Sequence, residues 1–123
     1  MNLRESIERI SGVKLSACYQ CGTCSGGCPI VEMMDVAPSK GIYRLQRNDS
    51  SVLDATTLWL CAACFTCDTR CPRGLRISAV MEAARALKLR KNIDHLRPES
   101  LNAESYAHMP PITMIAAFRK YTG

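Results

Sequence analysis

Long hydrophobic runs are missing from this sequence. Cysteine apart, apolar stretches reach only four or five residues, as from Met114 to Phe118, where a membrane span needs about 20, so no direct membrane span is expected. Aromatics are scarce at 6%, with one Trp and two Phe, and any core must come from Leu, Ile, Val and Ala. The opening Met1-Asn2-Leu3-Arg4-Glu5 is charged and lacks the apolar segment of a secretory leader. Nowhere does polarity alternate with the period of two that a half-buried strand requires; Thr56-Thr57 comes nearest, inside an otherwise helical segment. These absences predict a small all-α chain in the cytoplasm.

What the sequence has is cysteine, 8 in 123 residues, below the density of a disulfide scaffold. Cys18, Cys21, Cys24 and Cys28 form one run, and Cys61, Cys64, Cys67 and Cys71 form another. Each reads C-x2-C-x2-C-x3-C and is followed at once by proline, Pro29 or Pro72. The second run is the first displaced by 43 residues, a repeat legible mainly in its cysteines and prolines.

Disulfides do not persist in a reducing compartment. Zinc sites usually pair two C-x2-C knuckles across a longer stretch, so a zinc-stabilised binding module is the remote alternative. A cubane [4Fe-4S] cluster needs four thiolates at four corners. Three cysteines at this spacing wrap three corners, and in the bacterial run the fourth serves the other cluster when two are present. The expectation is two crossed [4Fe-4S] clusters. Cluster one takes Cys18, Cys21, Cys24 and Cys71; cluster two takes Cys61, Cys64, Cys67 and Cys28. No thiol is left for substrate chemistry, so the chain on its own is expected to be no enzyme and to move single electrons. Removing the metal is expected to unfold much of the domain.

The formal charge of +5 counts every cysteine as neutral. Two oxidised clusters with their thiolates carry about −2 each, bringing the net to roughly +1. The basic surplus is largely counter-charge, and no nucleic-acid partner is expected.

Apolar periodicity predicts a helix over 2–10, stopped at Ser11-Gly12, and a helical turn from Ile30 to Met34. Pro38-Ser39 opens a piece running from Lys40 to Arg47, with Ile42, Tyr43 and Leu45 as apolar contacts. Ser51 to Asp54 resembles a capping box for a helix ending near Leu60. The clearest helix covers 77–91, with Ile77, Val80, Met81, Ala84 and Leu87 as its stripe. Residues 93–123 hold Pro98, Pro110, Pro111, His95 and His108, and read as an extended arm with a helical turn or two. The division expected is a cluster domain over 1–92 and an arm over 93–123, the candidate partner contact.

Around the runs, the first loop is small and flexible, with Gly22, Thr23, Ser25, Gly26 and Gly27, and the second is bulkier and more charged, with Phe65, Thr66, Asp68 and Arg70. That difference predicts unequal potentials in an order the sequence leaves open. Arg70, Arg73 and Arg76 are candidates for cluster counter-charge, for docking an acidic partner, or for simple solvation. Trp59 reads as core packing rather than an electron relay, and Met33-Met34 as core filling beside the first cluster. His95 and His108 read as ordinary arm residues.

The segments Cys18-Tyr19-Gln20-Cys21-Gly22-Thr23-Cys24-Ser25-Gly26-Gly27-Cys28-Pro29 and Trp59 to Gly74 closely resemble the C-type member of heterodisulfide reductases, over about residues 15–91. The resemblance implies an α-helical ferredoxin fold with two [4Fe-4S] clusters. It also implies a place between a flavin-containing A-type subunit and a cysteine-rich B-type subunit that reduces a disulfide. Related dicluster modules serve membrane-associated, quinone-linked or other non-methanogenic oxidoreductases, the alternative reading here.

Overall fold

The computed structural model describes residues 2–91 and 100–118. Its chain divides into two units, Met1–Lys91 and Asn92–Gly123, and among the described residues there is no strand.

The first helix, α1 (Leu3–Ser11), begins at a reciprocal cap. Asn2 Oδ1 accepts from Glu5 N–H at 2.9 Å, and Glu5 Oε2 accepts from Asn2 N–H at 3.3 Å. It ends where Gly12 turns left-handed at φ 69 and donates back to the Glu8 carbonyl, a conformation glycine reaches without Cβ strain. Both ends are legible in the residue types. Two longer helices follow the two cysteine runs: α3 (Pro38–Gln46), opened by proline at its first position, and α6 (Ile77–Leu89). Ile7 of α1, Ile42 and Leu45 of α3 and Val80 of α6 are fully buried in one cluster of apolar side chains, with Leu15 and Leu58. Each such side chain contributes about 1.5–3 kcal/mol relative to exposure. Tyr43 departs from expectation: it faces outward, with the Arg47 guanidinium 5.5 Å over its ring.

The helix expected from Ser51 to Leu60 is two pieces. A 3-10 stretch covers Ser50–Asp54, capped by Asp49 rather than Ser51, and α4 covers Thr57–Leu60. Between them Ala55 is extended, φ −68 and ψ 136. The cause of the break is Asp35. Its carboxylate accepts from Thr56 N–H and Thr57 N–H, both at 2.9 Å, and from the buried Thr57 hydroxyl at 2.6 Å. Thr57 Oγ1 in turn accepts from Val36 N–H at 3.0 Å. A distant acid starts α4, which leads directly into Cys61.

Those bonds, the Thr57 hydroxyl first, hold the Asp35 carboxyl near pKa 2, below its ordinary 3.8. A lowered carboxyl stabilises the fold fully above the unfolded value, and that contribution is lost as pH falls through about 2. Asp35→Asn sets an amide N–H against Thr56 N–H. It should lower the melting midpoint by on the order of 5 °C, and by the same amount at pH 6 and pH 8. Anaerobic thermal melts check this; a penalty that varied between those two values would assign the effect to another group.

In the second unit, α7 (Ala103–His108) is capped by Asn102, whose Oδ1 accepts from Ser105 N–H at 2.8 Å, and α8 (Pro111–Phe118) starts on proline. This unit is thus more helical than the extended arm expected. None of its residues from 100 to 116 is buried, His108 included. His95, Pro98 and the chain end at 119–123 lie outside the described residues.

Candidate metal centres

The two cysteine runs fold alike, beyond what the aligned cysteines suggest. Gln20 and Gly22 take left-handed φ of 63 and 80, and 43 residues later Ala63 and Phe65 take 51 and 62. For Gln20, Ala63 and Phe65 this conformation is strained, since Cβ crowds the backbone. A short helix follows each turn, α2 (Thr23–Gly26) and α5 (Thr66–Arg70). Their first residues repeat too: Thr23 Oγ1 lies 3.3 Å from Cys21 Sγ, and Thr66 Oγ1 lies 3.3 Å from Cys64 Sγ. Sequence reasoning places these threonines in the loops but assigns them no thiol contact, although they stand at the same offset of 43. That offset is the signal.

A second repetition links each loop to the next long helix. Ser25 Oγ accepts from Ser39 N–H at 2.9 Å, at the start of α3. Asp68 Oδ1, the residue 43 later, accepts from Ser78 N–H at 2.8 Å, at the start of α6, and its other oxygen accepts from the Ser78 hydroxyl. The residue after each third cysteine therefore caps the helix that follows.

The entry to the first loop is pinned from other segments. Gln46 Nε2 donates to the carbonyls of Leu15 and Cys18 at 2.7 and 3.0 Å. Arg73 Nε donates to the Ala17 carbonyl and Arg76 Nη2 to the Ser11 carbonyl, both at 3.1 Å. Two of the three arginines thus tie the backbone ahead of the first run to the residues after the second. The third, Arg70, lies against Gly27, where an added Cβ would meet its Cδ at 3.1 Å.

Two cavities result. One is lined by Cys28, Cys61, Cys64 and Cys67, the other by Cys18, Cys21, Cys24 and Cys71. Each cavity therefore draws three cysteines from one run and the last from the other. Ile77 lines both. The first residues of the long helices reach the cavities as well: Pro38 lines the former and Ser39 the latter, with Ser78 again on the former. Helix N-termini favour negative charge, which suits an anionic cofactor.

Thiol chemistry follows the same repeat. The exposed Cys21 and Cys64 are lowered from the ordinary thiol value, chiefly by the hydroxyls of Thr23 and Thr66. Burial raises Cys24, and burial, then the Asp68 carboxylate, pushes Cys67 up to about 12. Deprotonating such buried thiols needs a compensating cation. Among the described residues no three His, Cys, Asp or Glu side chains converge on a point as a single zinc ion requires. The thiols ring a cavity instead, and four thiols around a largely apolar wall fit a multi-iron cluster.

Two placements correct the expectations above. Trp59 is 51% exposed rather than packed in the core, because α4 turns Leu58 inward and leaves its neighbour outside. Met33 is 70% exposed. Met34 is half-buried, but it lines the cavity of Cys28, Cys61, Cys64 and Cys67 rather than that of Cys18, Cys21, Cys24 and Cys71.

Comparison with known proteins agrees with this chemistry. Residues 14–75 match the family model described as a 4Fe-4S dicluster domain. Over 91 residues the chain is 36% identical to the C component of the ferredoxin:CoB-CoM heterodisulfide reductase of Methanosarcina mazei, covering 74% of this chain and 55% of that protein. It is 39% identical over 80 residues to the iron-sulfur C component of the CoB--CoM heterodisulfide reductase of Methanopyrus kandleri, covering 64% and 42% respectively. The C2 component of the H(2)/formate:CoB-CoM heterodisulfide,ferredoxin reductase of Methanococcus maripaludis is 35% identical over 89 residues, 72% of this chain and 48% of that one. The chain spans about half the length of the curated relatives it matches.

Proposed function

Because this chain belongs to the 4Fe-4S dicluster domain family and carries two [4Fe-4S] clusters, we propose that it is the electron-relaying subunit of a heterodisulfide reductase-like complex. The clusters supply reversible one-electron chemistry when bound. The observation that carries the reading is the pair of cavities, each bordered by four thiols, with Ile77 common to both. Cys18, Cys21, Cys24 and Cys71 would hold one cluster, and Cys61, Cys64, Cys67 and Cys28 the other. All eight thiols are then engaged, which leaves no free thiol for substrate chemistry and supports a non-catalytic role within its complex.

The partners proposed are a flavin-containing A-type subunit and a cysteine-rich B-type subunit, with the chain passing single electrons from one to the other. None of the eight cysteines is in a disulfide, and loading them needs reduced thiols, which favours the cytoplasm. No helix among the described residues is long and apolar enough to cross a membrane.

Anaerobic affinity capture of this protein from its host, with mass spectrometry of the co-purifying chains, tests the assignment. A flavoprotein and a cysteine-rich B-type subunit are the expected companions. Recovery of a cytochrome or another membrane protein in their place would overturn it in favour of quinone-linked electron transfer.

A further inference from the structure

The repeated loops hold one another's control. Their left-handed turns and their Thr–Cys contacts match, so whatever these do to a bound cluster, they do to both. Two differences remain beside the sulfurs, and both act in one direction. Reduction adds negative charge to a cluster and its thiolates; donors and cations nearby ease that step, while carboxylates and apolar walls oppose it.

The first difference is at residues 20 and 63. Gln20 Nε2 donates to Cys18 Sγ at 3.3 Å, and Ala63 in the second loop has no side-chain donor. The second is at residues 25 and 68. Ser25 is neutral, whereas the Asp68 carboxylate stands 3.5 Å from Cys67 Sγ. Asp68 forms no ion pair among the described residues; Arg76, which shares a surface groove with it, points a guanidinium N–H at the Ser11 carbonyl. The walls supply no third: apolar Pro72 and Ile77 line the first-run cavity beside Gln20, and polar Thr66 and Ser78 line the other beside Phe65. Cations stand on both sides and do not decide the order: Arg73 lies 6.0 Å over the Tyr19 ring, and Arg76 shares the groove of Ala63, Phe65 and Asp68.

We propose that the two sites are poised in a fixed order, the site of Cys18, Cys21, Cys24 and Cys71 above that of Cys28, Cys61, Cys64 and Cys67 in reduction potential, with Gln20 and Asp68 as the residues that set the gap. The ordering rests on the ligand sets proposed above. One electron moving from the second site to the first oxidises one cluster and reduces the other, with no bond made or broken, and it runs downhill. A one-electron donor therefore belongs at the Phe65 side and an acceptor at the Tyr19 side.

The test is an anaerobic redox titration of the cluster-loaded chain followed by electron paramagnetic resonance, with iron counted in every variant. The wild type should show two waves at about eight irons per chain. Gln20→Gly, which suits the left-handed turn, should lower only the upper wave. Asp68→Asn, which keeps an acceptor for Ser78, should raise only the lower one. Ala63→Gln, which touches no helix cap, should raise the lower wave and narrow the gap even if Asp68→Asn loses iron. The ordering is overturned if Gln20→Gly moves the lower wave, if Ala63→Gln moves the upper, or if neither moves anything at full iron. A wild type with about four irons and one wave would bring down the ligand sets as well, a failure separable by iron count alone.

Discussion

Cys28→Ala should strip the cluster that Cys61, Cys64 and Cys67 hold, leaving its own run loaded. Iron should fall from about eight to about four atoms per chain, and the spectrum of the surviving cluster should match that of Cys61→Ala. Cys71→Ala should give the complementary spectrum, matching Cys18→Ala. The expectation follows from the cavities: Cys28 borders the one built by the second run, and Cys71 the one built by the first. Pairing the variants by spectrum removes the need to know in advance which signal belongs to which site. If Cys28→Ala instead matched Cys18→Ala, each run would keep its own fourth ligand and the crossing would be wrong.

The second large effect is on stability. Removing iron with an oxidant and chelator should abolish cooperative melting of residues 2–91 and lower their helical signal, and adding iron and sulfide should restore both. Three of the helices there, α2, α4 and α5, have four or five residues, far below the roughly 12–15 at which an isolated helix becomes even marginal. Two of them begin at strained or left-handed turns, and α5 ends directly at Cys71. Without the cofactor the buried Cys24 and the half-buried Cys67 would line open cavities, and nothing would offset the strain at Ala63 and Phe65. Amide exchange should show residues 18–28 and 61–71 losing protection first, with the α1 and α6 contact persisting longest. An iron-free chain melting at the wild-type temperature would show that the apolar core suffices.

Much of this arrangement is readable from residue order, for identifiable reasons. Asn2, Gly12 and Pro38 act on their own immediate backbone, so α1 and α3 are legible at both type and boundary. The apolar stripe of α6 is 13 residues long and needs no partner to be recognised. What escapes is action at a distance. Asp35 breaks a helix 21 residues away, and no local pattern announces that. Arg73 and Arg76 look like charge near a cofactor, but their guanidinium groups spend hydrogen bonds on carbonyls 56 and 65 residues upstream. Trp59 misleads because a large aromatic is usually worth burying; here a four-residue helix has one inner face, and Leu58 takes it. At the candidate site, the thiols are conspicuous and their hydroxyl neighbours are not, because Thr23 and Thr66 carry meaning only once the two loops are superposed.

Ile77 sets a limit on how this protein could ever be divided. It is a party wall between two rooms, and it comes from the chain after the second run. A cut anywhere between Met34 and Cys61 leaves the upstream piece with a room that lacks Ile77, Pro72 and Cys71 on one side. The downstream piece keeps the wall but loses Cys28, Pro29 and Met34 from the other room. Although the sequence reads as one motif written twice, neither copy is a smaller working version of the whole, and a designer wanting a single-cluster protein from this template would have to build the missing side anew.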